Sequence, residues 1–379
     1  MLARLGILAL ALGAGCAKRG PPSLSGAGSS SAFASVPAPS VGKLGTQTAF
    51  ELAASAAGAT LVWAPRERAH GSLRKVELDA SGSFQDAAAQ ALEPSAISGE
   101  ISDLAAVWVK SHLVLAWVER QAATARVRAA WAGAAAPPFE LGPAWSAPRT
   151  ARGNVVVAAR GDQALVFARG DEAACIEPGR HGCFGFEFYE LASGSARKAG
   201  LPMSVPVPCA DNSAQLAVVG ERFHYGVCTN TGERPVTTMF TIERNPEYAR
   251  ADALLEGCTP AGTFVWQGAA WLVGDCDGGR RAARLGARDE PAQFLDLHGS
   301  RLECRGGAAR LRAPSLELVL DEPRAGLSGI LPPELAPPGA RVVWAGRALL
   351  VATTLGDGVR LARYACLGDR LEQTQLDAQ

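Results

Sequence analysis

A repeated strand–turn–strand pattern is the feature of this sequence that most restricts its fold. Residues 264–274 (FVWQGAAWLVG) align without a gap with residues 342–352 (VVWAGRALLVA). Residues 107–116 and 157–168 fit the same template, and residues 217–226 fit it more loosely. Each copy is an apolar run, a short polar turn and a second apolar run, which predicts two antiparallel strands joined by a hairpin.

The clearest units continue into a third strand, so the repeat is longer than one hairpin. A turn rich in Asp and Gly occupies residues 275–279, and an alternating segment follows at 280–285. Residues 355–358 and 359–364 repeat this arrangement. One sheet of three or four strands cannot bury both of its faces, whereas sheets stacked around a ring bury them against one another.

The spacing of the units predicts an all-β fold, a β-propeller of about seven blades. Weaker copies near residues 61–78 and 302–320 complete this count, at intervals of roughly 40 to 60 residues. Rings of six or eight blades, or two β-sandwiches, are the alternatives, because the weak copies leave the count open. Trp108, Trp266 and Trp344 share one position of the repeat, so we expect them to pack between blades.

The N-terminal residues read as an export signal. Arg4 precedes an apolar run at residues 5–12, and small residues follow at 13–15. The apolar run is much shorter than the about 20 residues of a membrane-spanning helix. We therefore expect residues 1–15 to be a signal peptide.

Residues 12–16 (LGAGC) resemble the lipobox of bacterial lipoproteins. The resemblance implies cleavage before Cys16 and acylation of that cysteine, which would hold the protein on a membrane through its N-terminal lipid. Ala17, in place of an aspartate, resembles lipoproteins sent to the outer membrane, on its periplasmic face or at the cell surface. The alternative is ordinary cleavage near Ala14, which leaves Cys16 unmodified.

Composition separates a tether from a folded domain. Residues 16–45 are rich in Pro, Gly, Ser and Ala and too poor in large apolar residues to build a core, so they predict a flexible tether. Residues 46–379 are then the propeller domain. Thirty-seven basic residues balance 37 acidic ones, so the net charge gives no reason to expect a nucleic acid partner.

Eight cysteines follow Cys16, and an exported chain meets a compartment in which they pair. Cys209 and Cys228, like Cys258 and Cys276, bracket one hairpin-like segment, so each pair is placed to staple a hairpin at its open end. The third expected pair closes a turn-rich loop, and the fourth follows by elimination; these are Cys175 with Cys183, and Cys304 with Cys366. A metal site is disfavoured because no Cys-x-x-Cys pair is present.

Motifs of catalysis are missing from the sequence. It contains no Gly-x-Ser-x-Gly elbow, no His-Glu-x-x-His and no phosphate-binding glycine loop, so we assign no catalytic residue, metal or cofactor. Residues 78–84 are similar to the Asp-box of sialidase-like propellers, with one residue too many, and we interpret them as a hairpin turn. Glu187 and Glu190 are an odd number of residues apart, which predicts opposite faces of a strand. His224 is interpreted as structural.

One insertion has the composition of a binding loop. Loops between propeller strands carry recognition while the blades supply rigidity, and this polar loop is closed by the expected Cys175–Cys183 pair. The candidate binding residues are Asp171, Glu172, Glu177, Arg180 and His181. We expect a non-catalytic scaffold that binds an envelope protein or glycan. The alternatives are a glycosidase-like hydrolase or lyase with its site at the channel mouth, and a purely structural envelope component.

Overall fold

The structure is a computed structural model that describes the chain from Gln47 to Leu376 with breaks. The breaks are residues 66–72, 86–89, 93–96, 122–123, 135–136, 147–154, 170–183, 200–202, 206–214, 221, 231–234, 243–248, 285–290, 338 and 356–357. Cys16 and the predicted signal and tether therefore lie outside the described residues. In the described part, none of the helices is long and apolar enough to cross a bilayer.

The first four blades are antiparallel sheets of consecutive strands. Blade 1 contains β1 (Gln47–Ser55), β2 (Gly58–Pro65), β3 (Leu73–Asp79) and β4 (Gln90–Leu92). Blade 2 contains β5 (Glu100–Val109), β6 (His112–Gln121), β7 (Thr124–Trp131) and β8 (Phe139–Ser146). Blade 3 contains β9 (Val155–Arg160), β10 (Gln163–Arg169), β11 (Phe184–Ala192), β12 (Ser195–Lys198) and β13 (Met203–Val205). Blade 4 contains β14 (Gln215–Val219), β15 (Arg222–Asn230), β16 (Pro235–Ile242) and β17 (Ala249–Glu256).

Three further blades complete the ring. Blade 5 contains β18 (Cys258–Trp266), β19 (Ala269–Cys276), β20 (Gly279–Arg284) and β21 (Gln293–Asp296). Blade 6 contains β22 (Arg301–Arg305), β23 (Ala308–Ala313) and β24 (Leu316–Leu320), and a 3-10 helix follows at Leu327–Gly329. Blade 7 contains β25 (Arg341–Trp344), β26 (Ala348–Leu355), β27 (Gly358–Leu367) and β28 (Arg370–Leu376). The described residues thus form a seven-bladed β-propeller, as the repeat predicted.

The blades bury their faces against one another through alternating apolar side chains. On β6, Leu113, Leu115 and Trp117 pack against blade 1. The intervening residues Val114 and Ala116 pack against blade 3. Successive side chains of a strand point to opposite faces, so a strand buried on both faces is apolar throughout. This geometry explains why the repeat consists of continuous apolar runs.

The three repeated tryptophans occupy inter-blade positions, as predicted. The Trp108 indole nitrogen of blade 2 donates a hydrogen bond to the Thr60 hydroxyl of blade 1, over 3.2 Å. Trp344 is buried in the cluster that joins blades 5, 6 and 7. Trp266 packs against the same cluster, with its ring centroid 5.8 Å from that of Trp271.

Blades 1 and 7 close the ring without sharing a strand. Leu52, Leu61 and Leu78 of blade 1 form one cluster with Leu350 and Leu361 of blade 7. The turn after β3 adds polar contacts, because its residue 80 carbonyl accepts a 2.9 Å hydrogen bond from the residue 347 amide. The ring is therefore closed by side-chain packing and by hydrogen bonds between sheets.

Blade 6 is built in the reverse order. Its first strand, β22, packs against the outer strands β27 and β28 of blade 7. The chain then runs inward, and after β24 Arg324 bridges to Trp344 on β25. The 3-10 helix, not a strand, contacts β18 and β25 at the centre of the ring. Blade 6 thus enters from the rim and leaves at the channel, and the sequence did not predict this.

The structure corrects two further details of the sequence interpretation. The weak repeat copy at residues 61–78 covers β2 and β3, so it is one strand out of phase with the copies that cover first and second strands. The alanine-rich residues 87–92 favour a short helix by local preference, but Gln90–Leu92 form the strand β4, paired with Leu73–Lys75. Pairing with a neighbouring strand overrides a helix preference in so short a segment.

Two disulfide bonds match the sequence expectation. Cys258 and Cys276 face each other across β18 and β19 and are bonded. Cys304 on β22 is bonded to Cys366 on β27, which links blades 6 and 7. Cys228 is also disulfide-bonded. Its expected partner Cys209 lies outside the described residues, as do Cys175 and Cys183, so those pairings stay predictions.

Gly326→Ala is expected to destabilise the junction between blades 5 and 6 by about 3 kcal/mol. Gly326 has φ +75°, and a Cβ there would lie 2.6 Å from the Thr263 carbonyl oxygen. Left-handed backbone costs other residues roughly 1 to 2 kcal/mol, and overpacking adds about 1 to 3 kcal/mol. Urea denaturation measures the loss. Gly161→Ala is the control, because Gly161 also has positive φ but open space around it, so a loss of only about 1 kcal/mol is expected there. Equal losses in the two variants would contradict the close contact.

Candidate functional site

The first strands of blades 7 and 1, and those of blades 2 and 3, contact each other near their starting residues, and we call this end of the central channel the strand-start end. On blade 3, Val155 at the start of β9 pairs with Ala168 near the end of β10. On blade 2, Glu100 at the start of β5 pairs with Arg120 near the end of β6. Loops that join second strands to third strands therefore leave the blades at this end.

Three charged residues from three first strands come together near the strand-start end. Glu51 lies on β1, Asp103 on β5 and Arg341 at the start of β25. Arg341 Nε donates to Glu51 Oε2 over 3.0 Å, and the ion pair joins blades 1 and 7. Asp103 Oδ2 accepts a 3.1 Å hydrogen bond from the Val155 amide of blade 3. These contacts join blade 7 to blade 1 and blade 2 to blade 3.

The charges of these three side chains act on one another. Burial raises the pKa of the Glu51 carboxyl, attraction to Arg341 offsets part of that rise, and the charge of Asp103 adds to it. The Glu51 carboxylate, and more weakly Asp103, raise the pKa of Arg341.

Sequence reasoning missed these three residues. Each is a charged residue in a largely apolar first strand: Glu51 is the one charge within QTAFELAAS, and Asp103 is the one charge inside EISDLAAVWV after its exposed first residue. A buried charge of this kind needs a partner, so its presence in a core strand is a usable signal. The partner is not visible in the sequence, because Glu51 and Arg341 are 290 positions apart.

The candidate binding residues of the insertion lie outside the described residues. The two strands that flank the insertion, β10 and β11, are described and paired along their length. Arg169 ends β10 beside the start of β9, so the insertion leaves blade 3 at the strand-start end. The described ends of β10 and β11 that flank the insertion therefore lie at the strand-start end, where Asp103 contacts the Val155 amide.

A second carboxylate network lies in blade 2. The fully buried Glu119 accepts hydrogen bonds at Oε1 from the Ser98 amide, over 3.0 Å, and from the Ser98 hydroxyl, over 2.6 Å. Its Oε2 lies 3.2 Å from Arg128 Nε. Gln121 donates to the same Ser98 hydroxyl over 2.7 Å. Glu119 thus fixes the segment that leads into β5.

Glu187 and Glu190 belong to separate networks, in agreement with their predicted opposite faces. Glu187 accepts hydrogen bonds from the Tyr189 hydroxyl and from Lys198 Nζ. Glu190 pairs with two arginines, at positions 160 and 197. The two carboxylates therefore do not form an acid–base pair.

The predicted hairpin turn at residues 78–84 is present. Asp79 Oδ1 accepts hydrogen bonds from the Ser81 amide, the Ser81 hydroxyl and the Ser83 amide. Leu78 and Phe84 pair across the turn. Among the described residues, no group of three or more His, Cys, Asp or Glu side chains is arranged to hold a metal ion.

Replacing His224 by Gln is expected to make the free energy of unfolding fall less steeply as the pH is lowered into mild acid. Burial and the nearby Arg222 charge lower the pKa of His224 to about 4, from 6.5. The folded state then binds a proton at His224 less tightly than the unfolded chain does. The stabilisation that neutral His224 contributes is therefore complete above pH 6.5 and is lost as the pH falls toward 4. The free energy of unfolding that His224 contributes differs by up to about 3 kcal/mol between neutral pH and pH 4. Denaturation midpoints from pH 7 to pH 4 measure it, and identical pH profiles for both proteins would refute the prediction.

Comparisons with known proteins give no family for this chain. No protein-family model matches it. No curated protein matches it either. Solved structures do match, among them a neuraminidase-like protein from A/bat/Guatemala/164/2009 at a TM-score of 0.41 and 9% identity, covering 86% of each chain. A subtype N10 neuraminidase-like protein of A/little yellow-shouldered bat/Guatemala/060/2010 matches at 0.42 and 9% identity, over 83% of this chain and 93% of that chain.

An insect enzyme also matches. It is a mutant GH32 beta-fructofuranosidase from Bombyx mori in complex with sucrose, at a TM-score of 0.35 and 10% identity, covering 87% of each chain. At TM-scores this low, the three likenesses carry no argument about what this chain binds. The function has to be argued from the residues of the chain itself.

Proposed function

We propose that this protein is a lipid-anchored envelope protein whose propeller is a non-catalytic scaffold for binding a protein or a glycan. The observation that carries the proposal is the strand-start end. There the Glu51–Arg341 ion pair joins blades 1 and 7, Asp103 joins blade 2 to blade 3, and β10, which leads into the 170–183 insertion, ends beside the start of β9. A rigid rim that carries loops is the arrangement by which many folds present a binding surface.

The disulfide bonds support an exported location. Two bonds in the described chain are typical of proteins of an oxidising compartment, since thiols in the cytosol are kept reduced. The sequence at Cys16 adds the lipid anchor, and the Pro/Gly/Ser-rich residues after it supply the tether. Two or more acyl chains give stable membrane attachment, whereas one chain binds only marginally.

Cross-linking in intact cells, followed by affinity purification and mass spectrometry, tests the scaffold function. We expect one or a few envelope proteins or glycans to be captured by the full-length protein. A Cys16→Ser variant is the matched control for the anchor, because it leaves the propeller unchanged and should appear in the soluble fraction without its lipid. Capture of nothing above the background of an unrelated lipoprotein would refute the proposal.

A second candidate function, glycoside hydrolysis, rests on the two carboxylates Glu51 and Asp103 near one channel end. Most glycosidases use a pair of carboxyl groups as acid and as base or nucleophile. The raised pKa of Glu51 is the direction expected of a general acid. Incubation with oligosaccharides and measurement of new reducing ends tests it. Hydrolysis that is lost in Glu51→Gln supports this candidate, and unchanged substrate refutes it.

A further inference from the structure

Arg341 presents hydrogen-bond donors to solvent where blades 7 and 1 meet. Its side chain is 38% exposed although it lies on a first strand of the ring. The guanidinium has five N–H donors, and its Nε donor is used by Glu51. In the part of the chain that the structure describes, its two terminal nitrogens have no hydrogen-bond partner. A guanidinium held by one contact keeps a fixed fork of donors for a ligand.

Glu51 offers acceptors beside these donors. Its Oε1 accepts one hydrogen bond from the Leu52 amide and its Oε2 accepts one from Arg341. A carboxylate has about four acceptor positions, so roughly two remain for a ligand. The side chain is 18% exposed, so part of the carboxylate is open to solvent. Hydrogen-bond donors and acceptors thus lie next to each other at the junction of blades 7 and 1.

The charge of the site selects among ligand classes. Two carboxylates, Glu51 and Asp103, and one guanidinium, Arg341, give a net charge of −1 when all are ionised. The net charge repels an anion, and a cation that contacts the Glu51 carboxylate lies close to the positive guanidinium of Arg341. A neutral polyol is repelled by neither charge. One of its hydroxyls accepts a hydrogen bond from the guanidinium while the neighbouring hydroxyl donates one to the carboxylate.

We propose that the strand-start end of the channel binds a neutral saccharide, with Arg341 and Glu51 holding adjacent hydroxyl groups. Asp103 adds a negative charge near this pair, and its hydrogen bond from the Val155 amide links β5 to β9. This proposal rests on the proposed scaffold function and names the glycan class of its partner. Ligands in such sites are oriented by a small number of placed polar groups, as here.

Glycan binding by the full-length protein in detergent tests the proposal. The neutral probes are oligomers of N-acetylglucosamine and of glucose, the anionic probes are oligogalacturonates, and the cationic probes are chitosan oligomers. We expect the wild type to bind at least one neutral series. Arg341→Gln and Glu51→Gln are each expected to weaken that binding about tenfold or more, since a hydrogen bond to a charged group is worth roughly 1.5 to 3 kcal/mol. Arg126→Gln, in an exposed ion pair of blade 2, is the control and should stay within about twofold.

The outcomes separate this proposal from the scaffold function. No binding to either neutral series, a preference for the charged oligomers, or equal binding by Arg341→Gln overturns the saccharide site. If Arg341→Gln does not fold, the near-isosteric Glu51→Gln decides, with its melting temperature as the check on folding. If the saccharide site fails while cross-linking still captures a protein partner, the scaffold function stands and only the saccharide site falls.

Discussion

Replacing both Cys304 and Cys366 by alanine is expected to lower the free energy of unfolding by about 4 kcal/mol. The bond closes a loop with a sequence separation of 62 residues, and the chain-entropy relation gives about 4 kcal/mol for a loop of that length. It also ties the reversed, three-stranded blade 6 to blade 7. Urea denaturation measures the total loss. Hydrogen exchange is expected to accelerate mainly in β22–β24, because that sheet loses its covalent link.

The second disulfide supplies the matched control for this experiment. Cys258 and Cys276 are only 18 positions apart, which gives about 3 kcal/mol by the same relation. They also lie on paired strands of one blade, so their removal is expected to leave exchange in blade 6 unchanged. A larger loss from the Cys258/Cys276 variant than from the Cys304/Cys366 variant would contradict the proposed role of the longer link.

Replacing Glu119 by leucine is expected to cost about 4 kcal/mol. The Glu119 side chain is fully buried, and it pairs with Arg128, whose side chain is 15% exposed. Removing one partner of a buried pair leaves an uncompensated charge, which costs roughly 3 to 5 kcal/mol. The Ser98 amide and hydroxyl also lose their acceptor. Urea denaturation measures the loss.

Two further variants test the cause of that loss. Glu140→Leu removes an exposed ion pair with Arg126 from the same blade, so a change within about 1 kcal/mol is expected. The double variant Glu119→Leu, Arg128→Leu removes both buried charges and is expected to recover part of the stability. A double variant less stable than Glu119→Leu alone would show that the unpaired arginine is not the source of the loss.

The repeat of the sequence predicted most of the architecture. Alternation along a strand and the turn between two strands are local properties, so the copies at residues 264–274 and 342–352 identify first and second strands directly. The pairing of Cys258 with Cys276 follows from the same local register. The copy at residues 61–78 contributed to the correct number of blades but has the wrong phase, because β2, the second strand of its blade, is an apolar run like a first strand.

The sequence by itself therefore determined the class of fold, the approximate number of repeats and the hairpin register of the clear copies, because each depends on neighbours in the chain. Only the tertiary structure decided which strand of each blade lies at the channel. The strand order of blade 6 is reversed because it depends on packing against blades 5 and 7, which is not visible in the sequence of blade 6 itself. The same is true of the site. Glu51 and Arg341 are 290 positions apart, and they meet because ring closure places β1 beside β25.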